Sequence, residues 1–554
     1  MTGQPDDVLD ARVMDWLRTS EGASSRDVLD ATFMDLASIR QDRWRPWGPL
    51  VDGLSRPWSL ELPRWAWIVL TLLLLVAISV ASLTVASRLR PLMDRLSVLP
   101  AEPATLQDVA CPDAFAATGE VRCRLASVPE RHERPAGPTV RLLVAEFLPS
   151  GALAGAPPVF VPLTLDPSGQ RTVVDIATTA ESIGRMVIGV VPRGRAPSEP
   201  SLACTELESF EQPASGASVL DPAWRASLGD AVRPCRERLA TAGIDIEAYG
   251  LAEQAADVES IRRGLGVDRW LIRTVGNDSR LAVEVLRRYP DGVAAAVLVG
   301  PSFPGNDADR DAAEALPASI EALAALCAGD AFCAGRYRPP DEAWAAAMDR
   351  LDPGSATLAA QALRSALATP ELVAGLPSRL ERLAAGDLAW PEVELATRGW
   401  CLGYELSCTR ESGWTGGSEL ATVCFGRATS SSPAATGVSG AQVGVTDLLA
   451  SDPWDVLCDA WAGDTRDGST MQPVTSDVPV IVLATRLDPY HSLPGIASGM
   501  GGLRQGVLVP LPWTPEGTGV GCLDARDAGW LDDPAAALPA SCTGAELPLF
   551  ADAP

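Results

Sequence analysis

The chain contains no lysine, so all 45 of its basic residues are arginine. Histidine is nearly absent too, with only His132 and His491. There is no C-x-x-C pair, and the first cysteine is Cys111. Two histidines without paired cysteine spacing exclude the usual ligand patterns of a zinc site, so neither a metal nor another cofactor is expected. A formal charge of −26 excludes a phosphate-tracking surface and makes nucleic acid an unsuitable partner, because a polyanion is repelled over much of the protein. The lack of lysine fits a GC-rich genome of actinobacterial type.

What the chain has is length and apolar residues: 554 residues, 47% hydrophobic, enough for two or three domains. From Trp65 to Ser87 it carries no charge and is mostly apolar. At about 1.5 Å per residue such a helix covers a ~30 Å hydrocarbon core, so a single membrane span is expected over 64–88. Its distance from the N-terminus, and the lack of an A-x-A site, argue against a cleaved signal peptide. Arginines flank both ends, Arg45, Arg56 and Arg64 before it and Arg88, Arg90 and Arg95 after it, so charge does not orient it. Cysteine does: all 12 follow the span, from Cys111 to Cys542. An even number on one side indicates an oxidising compartment, which places the N-terminus in the cytoplasm and the C-terminal part outside the cell membrane. Spacing suggests local bridges Cys111–Cys123, Cys204–Cys235, Cys327–Cys333 and Cys522–Cys542; Cys401, Cys408, Cys424 and Cys458 remain unassigned.

The tail, 1–63, holds a short repeat: Val8-Leu-Asp-Ala-Arg-Val-Met-Asp15 returns as Val28-Leu-Asp-Ala-Thr-Phe-Met-Asp35. Two short amphipathic helices are implied, with stripes Leu9, Val13, Trp16, Leu17 and Leu29, Phe33, Leu36. They pack together or on a cytoplasmic protein partner. Arg40-Gln-Asp-Arg-Trp-Arg-Pro-Trp47 is suited to an anionic inner leaflet, or is a plain linker. Residues 89–110 read as a stalk. Beyond Cys111 short β-rich runs alternate with helices, the pattern of an α/β domain. Strands are predicted at Val140–Phe147, Pro158–Pro162, Arg185–Val191, Trp270–Val275, Ala294–Gly300 and Val478–Ala484. The division is a core at 111–302, a mostly helical cap insertion at 303–475 and the rest of the core at 476–554.

The most telling stretch is Trp270-Leu-Ile-Arg-Thr-Val-Gly-Asn-Asp-Ser-Arg-Leu-Ala-Val-Glu-Val-Leu-Arg-Arg-Tyr-Pro290, a strand, a sharp turn and a helix. Ahead of it runs Gly243-Ile-Asp-Ile-Glu-Ala-Tyr-Gly-Leu-Ala-Glu-Gln-Ala-Ala-Asp-Val-Glu-Ser-Ile-Arg-Arg-Gly-Leu-Gly266. Arg193-Gly194 with Ser201-Leu-Ala-Cys204, Thr475-Ser-Asp-Val-Pro-Val480, Leu487-Asp-Pro489 and Leu531-Asp-Asp-Pro534 complete an ordered set. From Cys111 to Cys542 the chain resembles the secreted tripeptidyl aminopeptidase and proline iminopeptidase-like branch of the α/β-hydrolases. The resemblance implies an α/β-hydrolase fold with a helical cap and a Ser-His-acid triad.

The catalytic parts of that family are mostly missing. Its elbow is G-x-S-x-G, with serine at the tip; this turn is Thr274-Val275-Gly276-Asn277-Asp278, and Gly276 stands in the serine's place. The acid corresponds to Asp488, which serves equally as a turn aspartate. The histidine turn should fall within 511–520, where none occurs. His491 lies on the wrong loop, and His132 precedes the first predicted strand. The family's glycine-rich oxyanion loop is replaced by Pro162-Leu-Thr-Leu-Asp-Pro-Ser-Gly-Gln170, in which proline lacks a donor and Asp166 opposes an oxyanion. Ser279 is the nearest substitute nucleophile, about one helical turn away at ~4.5 Å along the axis. Asn277 or Asp278 suits a helix cap, although an aspartate in the serine's slot serves as nucleophile in dehalogenases.

These readings favour a membrane-anchored pseudoenzyme whose outer domain binds a peptide, small-molecule or protein ligand. Two alternatives stand beside it. One is a serine hydrolase with a displaced constellation of Ser279, His491 and Asp488; the other is a structural cell-envelope protein.

Overall fold

The computed structural model describes residues 98–115, 120–151, 155–163, 170–208, 222–304, 308–398, 401–402, 407–408, 416–425, 454–463, 472–511 and 550. The chain divides into two units, Met1–Ser87 and Arg88–Pro554, and every described residue belongs to the second. The tail and the span expected at 64–88 lie outside the described residues. Among those residues no helix is long and apolar enough to cross a membrane.

A nine-stranded sheet forms the centre. Its strands in chain order are β1 (Thr105–Val109), β2 (Glu120–Pro129), β3 (Thr139–Leu148), β4 (Val159–Pro162), β5 (Val187–Val190), β6 (Trp270–Val275), β7 (Val293–Val299), β8 (Val480–Thr485) and β9 (Gly506–Leu511). They lie side by side as β1-β2-β3-β5-β4-β6-β7-β8-β9. The first three pair antiparallel, β3 meets β5 antiparallel, and the six from β5 to β9 run parallel. With β1 set aside, this is the strand order of an α/β-hydrolase sheet. Parallel strands covered on both faces need apolar residues throughout, and β8, Val-Ile-Val-Leu-Ala-Thr, is buried at every position.

Alternation sorts each strand's side chains into two cores. On one face Val144, Phe160, Ile188, Trp270, Ile272, Leu298 and Val482 meet the helices α2 (Pro222–Thr241), α3 (Leu251–Gly264) and α4 (Asp278–Arg288). On the other, Ala145, Phe147, Val161, Val187, Leu271, Val297 and Leu483 meet α1 (Gln170–Ile183) through Val173, Ala180 and Ile183. Strand order reverses between β4 and β6, because the chain leaves β4 over one face and returns to β6 from the other. Their carboxyl ends therefore splay apart, which makes this the crevice where α/β sheets hold ligands.

The six strands predicted from apolar runs are β3 to β8. Three more were not foreseen. β1 lies inside 89–110, so the segment read as a stalk ends before Thr105, which pairs with Ser127 of β2. Its burial alternates weakly and leaves little hydrophobic signal. β2 places His132 after a strand rather than before the first one. β9 is a short edge strand with an exposed Val507.

The insertion between β7 and β8 has two parts. From α5 (Ala308–Gly329) to the helix Ala389–Arg398 the helices share their own core, including Leu323, Leu363, Leu380 and Leu383. The later helices α6 (Gly417–Cys424) and α7 (Trp454–Trp461) instead bury Leu420, Leu457 and Trp461 in the core of α2 and α3. The described helices of the insertion therefore fall into a group whose core also takes in Leu487 after β8, and a pair packed on α2 and α3. Gly417 permits this approach, since a Cβ there would collide with the carbonyl of Leu202.

Disulfides join Cys111 to Cys123, Cys204 to Cys235 and Cys327 to Cys333, the pairs suggested by spacing. A fourth joins Cys424 to Cys458 and so ties α6 to α7. The backbones of Cys401 and Cys408 pair across a two-stranded ribbon. Cys522 and Cys542 lie outside the described residues.

Candidate functional site

At the end of β6, Gly276 adopts φ +57°, the left-handed conformation in which a hydrolase elbow holds its nucleophile. Its N–H donates to the carbonyl of Val299 (2.8 Å), and its own carbonyl accepts from the N–H of Ser279 (3.0 Å). The elbow is thus held to β7 on one side and starts α4 on the other. Glycine takes this conformation at no steric cost.

The neighbouring side chains differ from expectation. Neither Asn277 nor Asp278 caps α4. Asn277 stands at the N-cap position but makes no capping bond, because its φ of −60° and ψ of −32° are already helical, whereas a capping residue is extended. Asp278 lies in the first turn, where a carboxylate complements the helix dipole. Ser279 is 0% exposed. Its hydroxyl donates to the Gly276 carbonyl and accepts the N–H of Ser302 (3.0 Å), tying the elbow to the loop after β7. A hydroxyl used in this way is not presented to a substrate.

Asp488 and His491 do come together. Asp488 Oδ1 accepts the N–H groups of Tyr490 (2.8 Å) and His491 (2.9 Å), and Oδ2 lies 3.2 Å from His491 Nδ1. The Asp488 carbonyl accepts the Ser319 hydroxyl at 2.7 Å. This carboxylate therefore shapes its own loop in the manner of an Asx turn. The hydroxyl of Ser279 is bonded to neither residue. Of the expected oxyanion segment, Leu163 is fully buried and donates its N–H to Val190 at 2.7 Å, while 164–169 lie outside the described residues. The same holds for 512–520, the place of the family's histidine turn.

His132 serves elsewhere. Its Nε2 donates to Asp257 Oδ1 (2.8 Å), and Asp257 also receives Arg193 through Nε (2.7 Å) and Nη2 (2.5 Å). Arg193 is fully buried and donates further to the carbonyls of Glu130 (2.6 Å) and Ala248 (2.5 Å). Burial opposes the Asp257 charge, but Arg193 and His132 outweigh it and hold the carboxyl below its ordinary range. Arg193 thus locks the loop after β5 onto α3 and the end of β2, and positions Arg195.

Beside the elbow opens a small cleft with about 30 Å³ of space inside it. Leu251, Leu281 and Val423 supply apolar wall; Arg195, Asp278 and Glu419 supply charge. Arg195 Nη2 pairs with Glu419 Oε1 at 3.2 Å. Gln254 Nε2 donates to the Thr422 hydroxyl (2.9 Å), which donates to the Ser418 carbonyl (2.8 Å), fixing α6 against α3. Burial pushes the Asp278 carboxyl up; Arg195 opposes that shift and Glu419 adds to it. Neither Arg195 nor Glu419 is singled out by the sequence. Arg195 follows the Arg193-Gly194 motif, which was a usable signal; Glu419 carries none, since only folding brings α6 to α4.

No protein-family model matches the chain, and a comparison with curated proteins finds no match. Solved structures that are similar include a proline iminopeptidase of Mycobacterium smegmatis, 14% identical over 74% of this chain and 97% of that one, with a TM-score of 0.32. A thermophilic esterase from Thermogutta terrifontis is 12% identical over 71% of this chain and 91% of that one, with a TM-score of 0.28. A probable hydrolytic enzyme from Pseudomonas aeruginosa is 12% identical over 79% and 96%, also at 0.28. At these scores the likenesses decide nothing about chemistry, and the α/β-hydrolase fold rests on strand order and on the elbow between β6 and α4.

Proposed function

We propose that this protein is a membrane-anchored α/β-hydrolase-fold pseudoenzyme that binds a ligand outside the cytoplasm through the cleft beside its former elbow. The observation that carries the reading is Gly276 at φ +57° in the nucleophile's slot, with the adjacent Ser279 buried and bonded to the elbow itself. Support also comes from histidine: the chain has two, one bonded to Asp257 and one beside Asp488. Anchoring rests on the apolar run at 64–88, and the outward orientation on the cysteines, eight of which form four disulfides.

The test is to treat the full-length protein in detergent micelles with a fluorophosphonate probe and with chromogenic aminopeptidase substrates. Neither labelling nor turnover is expected. Stoichiometric labelling of one serine would overturn the pseudoenzyme reading in favour of a displaced nucleophile.

A further inference from the structure

We infer that Cys401 and Cys408 form a fifth disulfide, which staples the two-stranded ribbon of the insertion. The strands of that ribbon, Cys401–Leu402 and Ser407–Cys408, run antiparallel, and Cys401 stands directly opposite Cys408. Residues opposite one another in an antiparallel pair share a face of the ribbon. Their Cα atoms lie about 4.5 Å or about 5.5 Å apart, according to whether the pair exchanges hydrogen bonds. A disulfide accepts about 4.4–6.8 Å between Cα atoms, so either spacing suits one. The four described bridges of this chain span 4.9–5.4 Å.

A ribbon with two residues in each strand forms too few hydrogen bonds to hold itself together in water, and a covalent link between the strands removes that weakness. The compartment supplies the oxidation, since eight cysteines of this chain are already joined in pairs. Of the 12 cysteines, that leaves Cys401, Cys408, Cys522 and Cys542. Cys522 and Cys542 lie far along the chain, whereas 403–406 is all that separates the two strands, so closing the near pair costs the least loop entropy. In forming the bond the two thiols give up two protons and two electrons to the disulfide of an exchange partner, which leaves as a dithiol. With Cys401 and Cys408 joined, Cys522 and Cys542 are left to pair with each other.

Trypsin maps the bond directly, because the chain lacks lysine and Arg398 and Arg410 bound a peptide, 399–410, that holds these two cysteines and no others. The full-length protein in detergent micelles is denatured with iodoacetamide and no reductant, then digested. The peptide is expected unalkylated and lighter than its dithiol form by two hydrogens; reduction should then let it take up two alkyl groups. A further cut after Glu405, between the cysteines, should leave the two halves joined. Alkylation of 399–410 before reduction overturns the inference, and so does its linkage to 505–526 or 527–554, the peptides that hold Cys522 and Cys542. A Cys401→Ser variant gives an independent reading: Cys408 is expected as the one newly alkylated cysteine, and release of Cys522 or Cys542 in its place overturns the assignment. None of these outcomes bears on the elbow or the cleft, so the disulfide and the pseudoenzyme reading stand or fall separately.

Discussion

The hydroxyl of Ser279 donates to the carbonyl of Gly276, the residue that occupies the nucleophile's slot. The hydroxyl in the first turn of α4 is thereby a structural tie, which also accepts the N–H of Ser302. Ser279→Ala removes the donor and takes the acceptor from the half-buried N–H of Ser302, so a loss of about 1 kcal/mol in stability is expected. Fluorophosphonate reactivity should stay at background before and after the change. Denaturant unfolding and gel labelling measure the two effects.

Restoring the serine should not restore hydrolysis. Gly276→Ser places a side chain at φ +57°, at a cost of about 1–3 kcal/mol. His132 is buried against Asp257, and the described bonds of His491 run to Asp488 and not to the elbow. A lower melting temperature with no turnover of aminopeptidase substrates is the expected pair of results.

The Arg193–Asp257 contact should dominate the sensitivity of the core to mutation. Removing one partner leaves the other as an uncompensated buried charge, so Arg193→Met is expected to cost about 3–5 kcal/mol. Because the Asp257 carboxyl is held below its ordinary range, its contribution is complete above the unfolded-state value and is lost as pH falls through the folded one. The acid limb of the stability profile of Asp257→Asn should therefore be flatter than that of the parent.

Asp278 behaves in the opposite sense. Its carboxyl is raised by burial, so the folded state holds its proton more tightly than the unfolded chain does. The resulting stabilisation is present at low pH and disappears as pH rises through the folded-state value. Asp278→Asn should then melt above the parent near neutral pH, with the gap closing in acid. A gap that widens in acid would contradict this assignment.

The Cys424–Cys458 bridge closes a separation of 34 residues and fastens α6, which carries Glu419. Replacing both cysteines with serine is expected to cost about 2–4 kcal/mol. Thermal unfolding of that variant measures the loss.

Much of the domain was legible locally. Apolar runs located β3 to β8, because a strand buried on both faces announces itself in composition. β1 and β9 escaped because edge strands have no such requirement. Three cysteine pairs were readable from spacing, but Cys424–Cys458 was not, since Cys401 and Cys408 stand in the same weakly patterned insertion as competing partners.

The sequence alone determined which side chains are at hand: Gly276 stands at the turn between β6 and α4, and no histidine occurs in 511–520. Residue identity is a one-dimensional property, and an absent side chain cannot be supplied by folding. Only the tertiary structure decided which distant residues meet. His132 reaches Asp257 across 125 positions, and Asp278 shares a cleft with Glu419 from a different helix. Such meetings depend on the path of the chain over the sheet: the reversal between β4 and β6 opens a crevice, and the burial of Leu420 and Trp461 folds α6 and α7 back onto the main body beside it.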